Sequence, residues 1–146
     1  MASSSGYSFA PGTRVLVVED TQINQMILQA LLAQQGIDVV VANDGVEALA
    51  SLSNATVMPD VILCDVLMPN MDGYEATRQI RAGKAGTAAA TLPIIAMTAN
   101  TSDQDRQLCL DAGMTDFTTK PIIPEEIFAA IERALKPASP PLDQPA

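Results

Sequence analysis

The sequence predicts an α/β protein with a doubly wound, five-stranded parallel sheet, (βα)5. Short apolar or β-branched runs (VLVVED, IDVVVA, VILCD, PIIAMT and FTTKP) alternate with stretches of helical periodicity. That is the pattern of strands buried on both faces by crossover helices. Four of the runs end in charge-handling or hydroxyl side chains: Glu19 and Asp20, Asp65, Thr98, and Lys120. Open parallel sheets bind ligands outside the carboxyl ends of their strands, so these five side chains are expected to meet in one cleft.

Each element has its own signal. After VLVVED, the residues Ile23, Met26, Ile27, Ala30 and Leu31 recur at helical spacing, and Gly36 stops that helix. IDVVVA is the second strand, followed by a short helix with Val46, Leu49 and Ala50 on one face. The third strand runs from Val61 to Asp65, its loop carries Pro69 and the Asp72-Gly73 pair, and residues 74–82 read as helix. The Gly, Ala and Thr stretch from Gly83 to Thr91 reads as a mobile loop. LPIIAMT is strand four, and Ser102 with Asp105 three residues on resembles a capping box that starts the fourth helix. FTT is the short fifth strand. Pro124 suits the first turn of a last helix striped by Ile127, Phe128, Ile131 and Leu135. These signals divide the chain into a disordered leader over 1–12, one domain over 13–136, and a Pro-rich disordered tail or linker over 137–146.

Composition narrows the function. A chain of 146 residues buries roughly two thirds of its unfolded surface, enough for one core without staples. Eight basic residues against 17 acidic give a net charge of −9, which repels a phosphate backbone and argues against nucleic-acid binding. No apolar run approaches a membrane span and residues 1–12 lack a signal-peptide plan, so the cytoplasm is the expected compartment, without membrane contact. Cys64 and Cys109 lack metal spacing, and Cys64 reads as a packing residue. The chain has no histidine. Any mechanism that donates a phosphoryl group through a histidine of this chain is therefore excluded.

The cleft has a chemical meaning of its own. Three carboxylates repel one another unless a cation sits among them, and an all-oxygen set with few protein ligands suits Mg²⁺. Lys120 and Thr98 offer positive charge and a hydroxyl donor to a phosphoryl oxygen. The arrangement suits an aspartyl phosphate on Asp65.

Through VLVVEDTQINQ, VANDGVEAL, VILCDVLMPNMDGYEATRQIR and PIIAMTANTSDQDRQLCLDAGMTDFTTKP, residues 13–136 resemble the receiver domain of two-component response regulators. The wording INQ, MPNMDGYEATRQIR and TAN is most similar to receivers of hybrid sensor histidine kinases. The resemblance implies a flavodoxin-like fold with strand order 2-1-3-4-5. It makes Asp65 the phosphoacceptor, Asp20 a direct Mg²⁺ ligand, Glu19 a ligand through water and the Leu67 carbonyl the last protein ligand, with Mn²⁺ as a substitute ion. It makes Lys120 and Thr98 the groups that bind the phosphoryl oxygens, with a cis peptide expected at Lys120-Pro121. Thr98 and Phe117 become the switch pair, and Phe117 lacks the hydroxyl that tyrosine carries there in many receivers, so the switch works by packing alone.

The implied partners are a histidine kinase or a histidine phosphotransfer protein, with a second copy of the chain as a further partner on phosphorylation. Leu67 cannot hydrogen-bond an attacking water, whereas Asn100 can, which predicts slow to intermediate autodephosphorylation. Thr21 departs from the asparagine often found after the acidic pair, with a modest effect expected. No turnover of an external substrate is expected. Two other readings compete: a Mg²⁺-dependent hydrolase with an aspartyl intermediate, and a binding module indifferent to phosphorylation. A phosphate-cradling nucleotide or flavin site is disfavoured, because EDTQIN follows strand one in place of GxxxxGK[ST].

Overall fold

The computed structural model describes residues 9–68, 71–99 and 102–135. The expected tail, most of the expected leader and Asn100 lie outside the described residues. The strands are β1 (Arg14–Val18), β2 (Asp38–Ala42), β3 (Val61–Asp65), β4 (Ile94–Thr98) and β5 (Asp116–Thr119). The helices are α1 (Gln22–Gln34), α2 (Gly45–Ser53), α3 (Gly73–Arg81), α4 (Asp103–Ala112) and α5 (Pro124–Leu135). Every strand pair is parallel, in the order β2-β1-β3-β4-β5, the doubly wound topology expected.

Alternation along the strands divides the core in two. On one side Val15, Val17, Leu63, Ile95 and Met97 pack with Leu28 and Leu32 of α1 and Ile127, Phe128 and Ile131 of α5. On the other, Leu16, Val18, Ile62, Cys64 and Ala96 pack with Ala48 and Leu52 of α2, Ile80 of α3 and Cys109 of α4. Asp44, Asp72 and Ser102 cap α2, α3 and α4, each accepting from the backbone N–H three residues on. The Ser102 hydroxyl also donates to Asp105 at 2.6 Å.

Two helices sit in a different phase from the one their periodicity predicts. In α1 the stripe Ile23, Met26, Ile27 and Ala30 faces solvent, with Ile23 67% and Met26 59% exposed, while Leu28 and Leu32 are buried. Two apolar stripes compete on this helix, and packing against β1 and β3 selects the other one. In α2, Val46 and Ala50 point outward and Gly45, Ala48 and Leu52 point inward. Gly45 sets this phase: a Cβ there would come within 2.9 Å of Met71 and 3.0 Å of the Ala76 methyl, so only glycine lets α2 lie so close to α3.

The stretch after α3 also differs from the loose loop expected. Ala85 and Ala89 are buried, and the Arg81 guanidinium donates to the carbonyls of Ala90, Leu92 and Gly113 at 2.7–2.9 Å. Residues 9–12 of the expected leader turn into the domain, where the Phe9 ring packs against Phe128 with centroids 6.4 Å apart.

Candidate functional site

Strand register brings the predicted residues to one edge. Val18 is level with Ala42 and Cys64, Asp65 with Met97, and Thr98 with Thr119. Glu19 and Asp20 therefore follow the end of β1, Asp65 and Thr98 end β3 and β4, and Lys120 follows β5. Strand order reverses between β1 and β3, the switch point where such sheets open a crevice.

Lys120 Nζ lies 3.0 Å from Asp65 Oδ2 and 3.3 Å from Glu19 Oε1. Glu19 is fully buried, Asp65 is 4% exposed and Asp20 is open to solvent. One oxygen from each of the three carboxylates lies within 4.8 Å of the others. Burial pushes the Asp65 carboxyl above its ordinary pKa, and Glu19 adds to this, while Lys120 and the Leu67 amide oppose it. Burial of the Lys120 amine acts downward, but Asp65 and Glu19 outweigh it and raise the ammonium above its ordinary value.

The Glu19 carboxylate is divided between two tasks. Its Oε2 accepts from the Thr21 amide at 3.1 Å and the Asn24 side chain at 3.3 Å. Its Oε1 is buried, satisfies no hydrogen bond among the described residues and has the Lys120 ammonium as its ion-pair partner at 3.3 Å. Three carboxylates beside one ammonium leave an excess of negative charge. A buried carboxylate oxygen without a donor, in an all-oxygen cluster open to solvent at Asp20, fits a hard divalent cation that keeps part of its water.

The Leu67 amide donates to Asp65 Oδ1 at 3.3 Å, and the residue is 69% exposed. The Thr98 carbonyl accepts from the Lys120 amide at 2.9 Å, tying the ends of β4 and β5 together. The Lys120-Pro121 peptide is cis. Phe117 is half-buried against the α2–α3–α4 core, and the Arg106 guanidinium of α4 stacks 4.7 Å from its ring centre. Cys64 is buried, and its thiol pKa is driven far upward by burial and the neighbouring carboxylates.

Several site residues escaped sequence reasoning. Asn24 and Gln25 grip Glu19, Arg106 covers Phe117, and Gly73 approaches Asp65 so closely that a Cβ there would fall on the Asp65 carbonyl oxygen. For Asn24 and Gln25 the signal was the INQ wording, four and five residues after Asp20, which marked the resemblance without disclosing a role. A separate cavity of about 300 Å³, lined by Arg14, Leu16, Val40 and Leu52 among others, opens at the opposite edge of the sheet, away from these residues. Among the described residues, no helix is long and apolar enough to cross a membrane.

Residues 15–132 match the family profile described as response regulator receiver domain. The chain is 38% identical over 133 residues to hybrid signal transduction histidine kinase I of Dictyostelium discoideum, covering 87% of this chain and 7% of that protein. It is 43% identical over 108 residues to the sensor histidine kinase RcsC of Escherichia coli, covering 74% of this chain and 11% of RcsC. The chain thus spans about a tenth or less of these kinases. Among solved structures, it is similar to the receiver domain of sensor histidine kinase PA1611 from Pseudomonas aeruginosa, which was crystallised with a magnesium ion coordinated in its active site cleft. That match has a TM-score of 0.75 and 39% identity, and covers 85% of this chain and 98% of the other.

Proposed function

The chain belongs to the response regulator receiver domain family, and from that premise we propose that Asp65 is the phosphoacceptor of a two-component phosphorelay, with residues 13–136 as the receiver unit. The observation that carries this reading is the near-complete burial of Asp65 at a strand end, 3.0 Å from Lys120 and within reach of two further carboxylates.

An Asp65 carboxylate oxygen attacks the phosphorus of a phosphohistidine in line. The O–P bond forms as the N–P bond breaks, and its electron pair returns to the imidazole. Lys120 balances charge on the transferred oxygens, and the Thr98 hydroxyl donates to one of them. Glu19, Asp20, Asp65 and the Leu67 carbonyl would hold Mg²⁺, or Mn²⁺ in its place. The ion supplies positive charge to the carboxylates and the phosphoryl group.

The phosphodonor is a histidine kinase or a histidine phosphotransfer protein, met in the cytoplasm. Ile23, Met26 and Ile27 of α1, the helix that follows the Glu19-Asp20 turn, are exposed, as are Leu67, two residues after Asp65, and Ile123, three after Lys120. These exposed apolar side chains are the ones offered to the donor on docking. Output passes through Thr98 and Phe117 to a second protein or a second copy of this chain. Leu67 is exposed and has no side-chain amide to offer a hydrolytic water, whereas Asn100 has one, in keeping with slow to intermediate autodephosphorylation. The reading is of a signalling phosphoacceptor and includes no turnover of an external substrate.

Intact mass after incubation with acetyl phosphate and Mg²⁺ tests the proposal. The wild type should gain one phosphoryl mass, only with Mg²⁺, and Asp65→Asn should gain none. An equal gain by the variant would refute it.

A further inference from the structure

The geometry points to Asn24 and Gln25 as positioning residues that clamp Glu19, so that its free carboxylate oxygen is presented to the cation and Lys120. Asn24 Nδ2 donates to Glu19 Oε2 at 3.3 Å, alongside the Thr21 amide at 3.1 Å. Gln25 Nε2 donates to the Glu19 carbonyl at 2.6 Å and to Asn43 Oδ1 at 2.7 Å. Asn43 is anchored in turn, because its backbone and side-chain nitrogens both donate to Glu47 Oε1 at 2.8 Å. The first turn of α1 therefore grips Glu19 by side chain and main chain together, with the start of α2 as a fixed post.

The clamp has a direct consequence. A carboxylate free to rotate would place either oxygen toward Lys120 or neither. With Oε2 occupied by two donors, Oε1 alone faces Lys120 at 3.3 Å and is left without a hydrogen bond. Groups of this kind orient a metal ligand and typically change metal affinity by tenfold or more when removed. The inference rests on the receiver reading of the cleft, since it supposes that the cleft takes a divalent cation.

Calorimetric titration with Mg²⁺ tests the clamp on purified wild type, Asn24→Ala, Asn24→Gln and Gln25→Ala, with thermal melting in EDTA alongside. Asn24 lies on the half-exposed first turn of α1, and alanine is the better helix former, so folding is retained. Asn24→Ala should weaken Mg²⁺ binding about tenfold, Asn24→Gln should restore most of it by supplying a donor, and Gln25→Ala should also weaken it. Melting in EDTA should change little. Raising Mg²⁺ to saturation should return Asn24→Ala to the wild-type extent of phosphorylation by acetyl phosphate. Unchanged Mg²⁺ affinity in both alanine variants, with normal binding by the wild type, would overturn the clamp and leave the receiver reading intact. Failure of the wild type to bind Mg²⁺ would overturn both.

Discussion

At the cleft, Asp65 is nearly buried and held by Lys120 and the Leu67 amide, and Glu19 beside it is fixed through both its side chain and its carbonyl. Two strands from Asp65, on the α4–β5 face, Phe117 is half-buried and covered by the exposed side chain of Arg106. The first region holds charged groups in place through several directed contacts each. The second is held by packing and one stacked cation, which can rearrange at little cost. The contrast suits the proposed roles: chemistry where geometry is over-determined, and a response where one ring can change its packing.

The sharpest way to break the cleft side of this contrast is to remove its cation. Lys120→Ala should slow phosphorylation by acetyl phosphate about 10²- to 10³-fold, the loss typical of a donor to developing negative charge. Time-resolved intact mass would show it, and a rate within a few-fold of wild type would place Lys120 outside the chemistry. Gly73→Ala comes next, because the new methyl would fall on the Asp65 carbonyl. A loss of about 1–3 kcal/mol in urea unfolding is expected, with slower phosphorylation as β3 shifts.

Asp65 itself makes a prediction of opposite sign. Burial raises its folded-state pKa above the unfolded value, so the folded state binds the proton more tightly. Stability without metal is then lost as pH rises from the unfolded carboxyl pKa through the higher folded one, and stays reduced above it. Asp65→Asn should therefore melt higher than wild type at neutral pH in EDTA, and the difference should shrink at acid pH. A lower melting temperature at neutral pH would mean that the Lys120 contact outweighs the burial.

The smallest effect belongs to the softer region. Arg106→Ala should reduce stability by about 0.5–1 kcal/mol, the range for an exposed cation–π contact, and leave the phosphorylation rate unchanged. A slowed rate would show that the α4–β5 face belongs to the cleft.

What the sequence discloses follows the same division. Strand-end residues were legible because a parallel sheet sends every strand's carboxyl end to one edge, so order along the chain predicts proximity for Glu19, Asp20, Asp65, Thr98 and Lys120. Capping by Ser102 was legible because it is local. The faces of α1 and α2 were not, since Ile23, Met26 and Ile27 form as good a stripe as Leu28 and Leu32, and only packing against the sheet chooses. Gly73 beside Asp65, Arg81 on three carbonyls and Arg106 on Phe117 are tertiary contacts that no periodicity encodes.

The most direct test of the account compares ¹H–¹⁵N NMR spectra of wild type and Asp65→Asn, each with Mg²⁺, before and after adding beryllofluoride as a phosphoryl mimic. The account predicts amide shifts in the wild type that extend from Asp65 and Thr98 to Phe117 and Arg106, and none of these in Asp65→Asn. Shifts confined to the cleft, or equal in the variant, would contradict it.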